Sequence, residues 1–317
     1  MTPGHAIGSG VAAAGRNKWM VTLFYGANLL VAAALAAPMY SAIAQHVGHS
    51  RVGEELARGF NAAWLVEFTI SNADFLKGFS TSIAYAGIIF LALNAVLSAG
   101  AFEVFAQGEG AKLHAFGRGV GKYFGSFARV VLVASFFYFV VFWFFNGPLD
   151  RWLDRAFRDS TADRWHFTLN LVRVALTAFL VMVVNMMVDY AKAEVVTGER
   201  ASALGALGQG AGFVIGRFGR VLAIYAALAV MSLLTIAVYL IFARYVPQSS
   251  VLTVLVWFLV AQALLWVRWM LRLASWGAAV SYYKAVAAER GTGAYASAAV
   301  PERKQVQNRL GTPPSKL

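Results

Sequence analysis

The sequence predicts an all-α polytopic membrane protein, with six transmembrane helices in three tandem hairpins and amphipathic helices at the membrane surface. Three observations predict it. Hydrophobic residues make up 59% of the 317 positions and charged residues 13%, about half the charged share of an ordinary soluble domain. Six continuous apolar stretches recur along the chain, each near the ~20 residues that carry a helix across a ~30 Å hydrocarbon layer at ~1.5 Å per residue. Residues 103–131 also match the segment 91 positions further on at 11 places without a gap.

The spans run roughly Trp19–Tyr40, Thr81–Phe102, Phe127–Phe145, Phe167–Val188, Val221–Phe242 and Val251–Leu271. Strands of a membrane barrel would be ~10 residues long with alternating polarity; these long runs are helical. The first span competes with a cleavable signal peptide, because Ala42-Ile43-Ala44 follows a basic and then an apolar run. Its apolar run exceeds the ~7–15 residues of a signal core, so a retained span is expected. The membrane domain covers 19–290, with hairpins at about 1–107, 108–198 and 199–290. Residues 1–18 precede it as a cytoplasmic segment, and 291–317 are expected to form a disordered cytoplasmic tail.

Orientation follows from Lys and Arg placement. With the N-terminus inside, cytoplasmic segments hold sixteen of the 27 basic residues against seven acids, including Arg16, Lys18, Lys122, Lys192, Arg217 and Arg220. Outer loops hold eight of each sign. Both termini are therefore expected inside. The net charge of +12 then reflects insertion and contact with anionic lipid headgroups rather than nucleic acid.

The matched pairs include Glu103/Glu194, Ala115/Ala206, Gly117/Gly208, Gly119/Gly210, Gly121/Gly212, Gly125/Gly216, Phe127/Phe218 and Arg129/Arg220. Asp189-Tyr190-Ala191-Lys192-Ala193 after span four resembles Ser281-Tyr282-Tyr283-Lys284-Ala285 after span six, and Gly15-Arg16 resembles Gly216-Arg217. Each unit thus reads as a small-residue cytoplasmic helix, a basic lead-in, a span, an outer loop, a span and a polar exit. In the connectors Gly117, Gly121, Gly125 and Gly208, Gly212, Gly216 form stripes at every fourth residue. Each Gly lowers helix propensity by ~1 kcal/mol, so the stripes are expected to pack closely on the bundle. On the outer side, Leu56, Phe60 and Trp64 share a face opposite Glu54, Glu55 and Arg58. Pro148 opens a second helix, whose Leu149, Trp152, Leu153 and Phe157 face away from Asp150, Asp154 and Arg158. Both patterns suit helices at a membrane boundary.

Intramembrane charge is the natural pointer to function. Arg268 and Arg272 share a face of span six. Counted from Val251, Arg272 reaches the cytoplasmic headgroups; aligned on the Tyr-Lys exit, both arginines lie ~13–20 Å deep. The first register makes them contacts for lipid phosphate. The second makes them an internal polar site with Asp189, Glu194 or Glu103 as partners. Arg173 is expected to snorkel to the outer surface, and Asn94 and Asn185 to bridge spans by hydrogen bonds. His46 and His49 lie near Glu54, but a metal site needs a third ligand of set geometry, so no metal is expected. His114 is expected to be exposed or interfacial. Gly117-Arg118-Gly119-Val120-Gly121-Lys122 lacks the outer Gly and the Ser or Thr of a phosphate loop, having Phe116 and Tyr123 there. No catalytic constellation is present, no cofactor is implied, and zero cysteines remove thiol chemistry.

Asp189-Tyr190-Ala191-Lys192, Glu199-Arg200, Ser202, the glycine stripe and Arg217–Val221 resemble poorly characterised bacterial six-span inner-membrane families. These include the membrane domain found ahead of some glycerophosphodiester phosphodiesterases. The resemblance covers mainly 80–290 and implies a bacterial inner-membrane location and helical architecture. It implies no phosphodiesterase activity, because the chain has no room for that catalytic barrel. The expected role is a non-enzymatic membrane module acting on lipid, partner proteins or further copies of itself. The alternative is a transporter or channel for an anionic or lipid-like solute.

Overall fold

The computed structural model describes residues 1–48, 61–108, 113–156, 163–198, 202–245 and 250–309. Every element among them is an α-helix: α1 (Pro3–Arg16), α2 (Lys18–Val47), α3 (Ala62–Ser71), α4 (Ala73–Gln107), α5 (Leu113–Asn146), α6 (Pro148–Ala156), α7 (Asp163–Thr197), α8 (Ala203–Gly216), α9 (Phe218–Tyr245) and α10 (Val251–Arg309). Six segments are long and apolar enough to cross a membrane: Lys18–Val47, Ala73–Gln107, Leu113–Trp152, Thr168–Thr197, Phe218–Tyr245 and Val251–Glu289. The chain is a multi-pass helical membrane protein.

Side-chain size decides where these helices meet. Buried residues cluster at the N-terminal ends of α2 (Met20, Val21, Phe24), α5 (Ala115 to Phe127) and α9 (Val221 to Leu228). They meet the C-terminal ends of α4 (Ala95 to Phe105) and α7 (Met186 to Val196), and residues 273–286 of α10. These stretches are rich in Ala, Ser and Gly, which let backbones approach closely. Phe24, Phe102, Phe127 and Trp276 fill the centre, with Trp276 5.5 Å from the rings of both Phe24 and Phe102. Toward the other end the helices carry Leu, Ile, Val and Phe outward, as Leu30, Ile88, Phe139, Leu233 and Leu252 show. Lipid tails are as apolar as Leu, so such faces need no protein cover. The bundle therefore has one packed end and one lipid-exposed end.

Three short segments close the packed end. α1 lies against α10, the start of α5 against α4, and α8 against α7. Thr2 caps α1 by accepting from the His5 N–H at 3.4 Å, and Ser202 caps α8 through the Gly205 N–H at 3.3 Å.

The close approaches are not made by the glycine stripes. A Cβ on Gly117, Gly121, Gly125, Gly208, Gly212 or Gly216 would meet nothing within 4 Å. The tight positions are Gly10, Gly119 and Gly210. A Cβ there would lie 2.7 Å from the Ala278 N, 2.9 Å from the Ala99 O and 2.6 Å from the Ala191 N, respectively. Ala6, Ala115 and Ala206, one turn earlier, are buried beside them. The face against the bundle is thus Ala-x-x-x-Gly, read from Ala6-Ile7-Gly8-Ser9-Gly10, Ala115-Phe116-Gly117-Arg118-Gly119 and Ala206-Leu207-Gly208-Gln209-Gly210. The stripe glycines lie on the outward face.

Other expectations also shift. The second connector is not a separate helix but the first turns of α5, continuous to Asn146, whereas Asn17 and Arg217 interrupt the chain before α2 and α9. Residues 291–309, expected to be disordered, are helical as the continuation of α10 to Arg309. After α2 the next described helix starts at Ala62, capped by Asn61. There Trp64 stacks on Phe68 at 5.2 Å, and both pack on His46. Leu56, Phe60, His49 and Glu54 lie outside the described residues.

Candidate functional site

The packed end holds two polar groupings; Arg272 and Asp189 fall in one, Glu103 and Glu194 in the other, and Arg268 in neither. In the first, Asp189 of α7 is completely buried. Its carboxylate accepts from the Tyr225 hydroxyl at 2.9 Å and the Trp276 indole N–H at 3.1 Å. It also pairs with the Arg272 guanidinium at 3.2 Å. One acid thereby ties α7, α9 and α10 together. A buried carboxylate is tolerable only when charge and lone pairs are both met, and here they are. Arg272 continues to the Asn185 Oδ1 at 3.4 Å, which also accepts from the Tyr138 hydroxyl at 3.0 Å, bringing α5 into the network. The guanidinium lies 5.2 Å from the Trp276 ring centre, a stacking that suits its planar, weakly hydrated charge.

One turn along α7, Lys192 is also buried. Its ammonium donates to the Ser98 hydroxyl at 3.2 Å and lies 5.6 Å and 5.5 Å from the ring centres of Phe127 and Trp276. Ring faces attract a desolvated cation, so two aromatics and one hydroxyl do the work that a carboxylate does for Arg272. Nearby, the Tyr190 and Tyr282 hydroxyls are buried with no hydrogen-bond partner among the described residues. Their rings flank Phe213 at 4.8 and 5.9 Å.

Glu103 and Glu194 belong to the second grouping, an open groove of about 560 Å³ where the ends of α4 and α7 meet the start of α5 and the middle of α10. Glu103 accepts from Gln107 and pairs with Arg118 at 3.2 Å. The Tyr283 hydroxyl donates to Glu194, and Lys284 donates to the Ala106 carbonyl. Lys122 lies over the Tyr123 ring at 4.9 Å.

The structure thus joins Arg272 to Asp189 and separates both from Glu103 and Glu194. Arg268 is exposed, with no hydrogen bond or ion pair among the described residues. Arg173 does not merely snorkel: it pairs with Asp150 of α6 and donates to Asn170 at 2.8 Å. His114 is exposed. No cluster of metal-ligand residues occurs among the described residues.

Sequence reasoning missed Tyr225, Trp276, Tyr138 and Ser98 as polar partners. Ser98 and Asp189 stand 91 positions apart, the same offset as the matched segments, and that correspondence could have flagged Ser98. No spacing signal marks Tyr225 or Trp276. No protein-family model, curated protein or solved structure matches the chain.

Proposed function

We propose that this chain is a non-enzymatic module of a bacterial inner membrane, with both termini in the cytosol and the packed end facing it, whose cytosolic end engages phospholipid headgroups. Three parallel hairpins, each led by an Ala-x-x-x-Gly helix, form the scaffold. The observation that carries the reading is the carboxylate of Asp189, which occupies Arg272, Tyr225 and Trp276 at once. The deepest charge in the bundle serves to hold helices together, while the groove beside it presents charged side chains at the ends of the spans. Basic residues at that level attract lipid phosphate by ~1 kcal/mol each near an anionic surface.

A transporter of an anionic solute would need Arg268 and Arg272 as its binding pair. Arg272 is neutralised by Asp189 and Arg268 stands apart on an exposed face, which favours the module.

The test is reconstitution of the purified full chain into vesicles of mixed phospholipids, with lipid retention, lipid turnover and solute flux measured together. Retention of phospholipid above its bulk fraction, without turnover or flux, is expected. Turnover or flux that disappears when one polar residue is changed would overturn the proposal.

A further inference from the structure

α7 and α10 both run toward the packed end, meet there and part beyond it. Asp189 pairs with Arg272 at 3.2 Å, and Asn185 accepts from the same guanidinium at 3.4 Å. Helical spacing carries the face of that contact away from the packed end in steps of four and three residues. On α7 the face passes Ala178, Ala175 and Leu171, and on α10 Leu265, Phe258 and Val254. Were the two helices packed along their length, these residues would cover one another. All six are exposed instead, Leu171 by 58%, Leu265 by 44%, Phe258 by 55% and Val254 by 52%. The Asp189–Arg272 pair therefore closes the narrow end of an apolar cleft between the second and third hairpins.

Arg268 stands on the same face of α10, one turn further out than Arg272. It is exposed and has no hydrogen bond or ion pair among the described residues. Asp189 already answers the charge of Arg272, and Lys192 lies on the packed side of the pair, buried against Ser98. The cleft thus has hydrocarbon walls and one unmatched positive charge near its closed end.

We infer that this cleft seats one anionic phospholipid, with its phosphate on Arg268 and an acyl chain between the bare faces of α7 and α10. The inference rests on the headgroup-binding reading above and adds a place and a class of lipid. A guanidinium takes phosphate oxygens through two parallel N–H bonds, and a charge set among apolar side chains needs such a partner. Free phosphate would satisfy Arg268 and leave the walls bare. A neutral lipid would cover the walls and leave the guanidinium unanswered. Phosphatidylglycerol does both with a single negative charge. Phosphatidylethanolamine and phosphatidylcholine each bring an ammonium as well, and the nearby carboxylate, Asp189, is completely buried and already holds Arg272.

The experiment takes the purified full chain from nanodiscs of equimolar phosphatidylglycerol, phosphatidylethanolamine and phosphatidylcholine into mild detergent. Retained lipid is then counted by native mass spectrometry. One phosphatidylglycerol per chain is expected, enriched at least fivefold over either zwitterionic lipid. Arg268→Gln should bring the three lipids to near parity, while Arg268→Lys, which keeps the charge, should preserve most of the preference. Leu265→Trp narrows the cleft without touching the charge and should lower retention severalfold. Both positions are exposed, so all three variants should melt with the parent. Inorganic phosphate, and glycerophosphoglycerol, which lacks acyl chains, should fail to displace the lipid. A preference for a zwitterionic lipid, an unchanged preference in Arg268→Gln, unchanged retention in Leu265→Trp, or displacement by inorganic phosphate would overturn the inference while leaving headgroup engagement intact. No enrichment of any lipid in the parent would overturn headgroup engagement itself.

Discussion

Replacing Gly210 by Ala while leaving Gly208 two positions away as an internal control tests how the packed end is closed. A Cβ at Gly210 would sit 2.6 Å from the Ala191 N, 2.8 Å from the Met187 O and 2.9 Å from the Ala191 Cα, all backbone atoms of α7. None can rotate aside, so α8 must withdraw by about 0.8 Å to reach ordinary contact, and gaps of ~0.5–1 Å forfeit a quarter to a half of each contact's attraction. Overpacking of this kind costs ~1–3 kcal/mol. At Gly208 nothing lies within 4 Å, so only the helix propensity changes, favouring Ala by ~1 kcal/mol. That gain applies to both substitutions and cancels in the comparison. Gly210→Ala should therefore be ~1–3 kcal/mol less stable than Gly208→Ala. By thermal unfolding in detergent micelles, at ~2–4 °C per kcal/mol, it should melt at least about 2 °C lower. The same ordering is expected for Gly119 against Gly117 and for Gly10 against Gly8. Equal stabilities within all three pairs would refute the Ala-x-x-x-Gly packing face.

Three further outcomes follow from the polar core. Asp189→Asn leaves Arg272 without its carboxylate. Breaking a fully buried pair costs ~3–5 kcal/mol, and because Arg272 keeps 34% of its side-chain surface the loss should be about 2–3 kcal/mol by denaturant titration in micelles. The double variant Asp189→Asn/Arg272→Gln should recover more than half of it, and a single-variant loss below ~0.5 kcal/mol would show the pair to be idle. Tyr190→Phe and Tyr282→Phe each remove a buried hydroxyl that has no partner among the described residues, so stability should hold or rise by up to ~1 kcal/mol; a drop of that size would mean the hydroxyls serve a bound group. Lys192→Met exchanges a buried amine that has one hydroxyl acceptor for an apolar chain of similar length, and is expected to stay within ~1 kcal/mol of the parent. A loss of several kcal/mol would place a functional charge at that position.

Much of the architecture could be read from the residues. Continuous apolar runs located six spans because a bilayer admits few alternatives to a helix. Asp189 was nominated beside Arg272 because it stands at the polar exit of span four. The phase of the connector helices was harder. Glycine at every fourth residue drifts slowly around a helix of 3.6 residues per turn, and nothing in the spacing says whether that stripe faces protein or water. The informative pattern was the alanine one turn before Gly10, Gly119 and Gly210, visible only when the three connectors are compared together. Glu103 and Glu194 were grouped with the arginines on charge alone. Their separation depends on helix rotation and on Gly119 drawing α5 onto α4, which no one-dimensional spacing encodes. No spacing marks Trp276 or Tyr225, and only the folded chain brings their N–H and O–H groups onto Asp189.

The proposed engagement of headgroups on the cytosolic face depends on which side of the membrane the packed end faces. The chain has no cysteine, so single cysteines can be placed without background. Lys122→Cys marks the groove and Trp152→Cys marks α6, beyond the opposite end of α5. Labelling with a membrane-impermeant maleimide is expected to modify Trp152→Cys in intact spheroplasts and Lys122→Cys only in inverted vesicles. The reverse pattern would contradict the account.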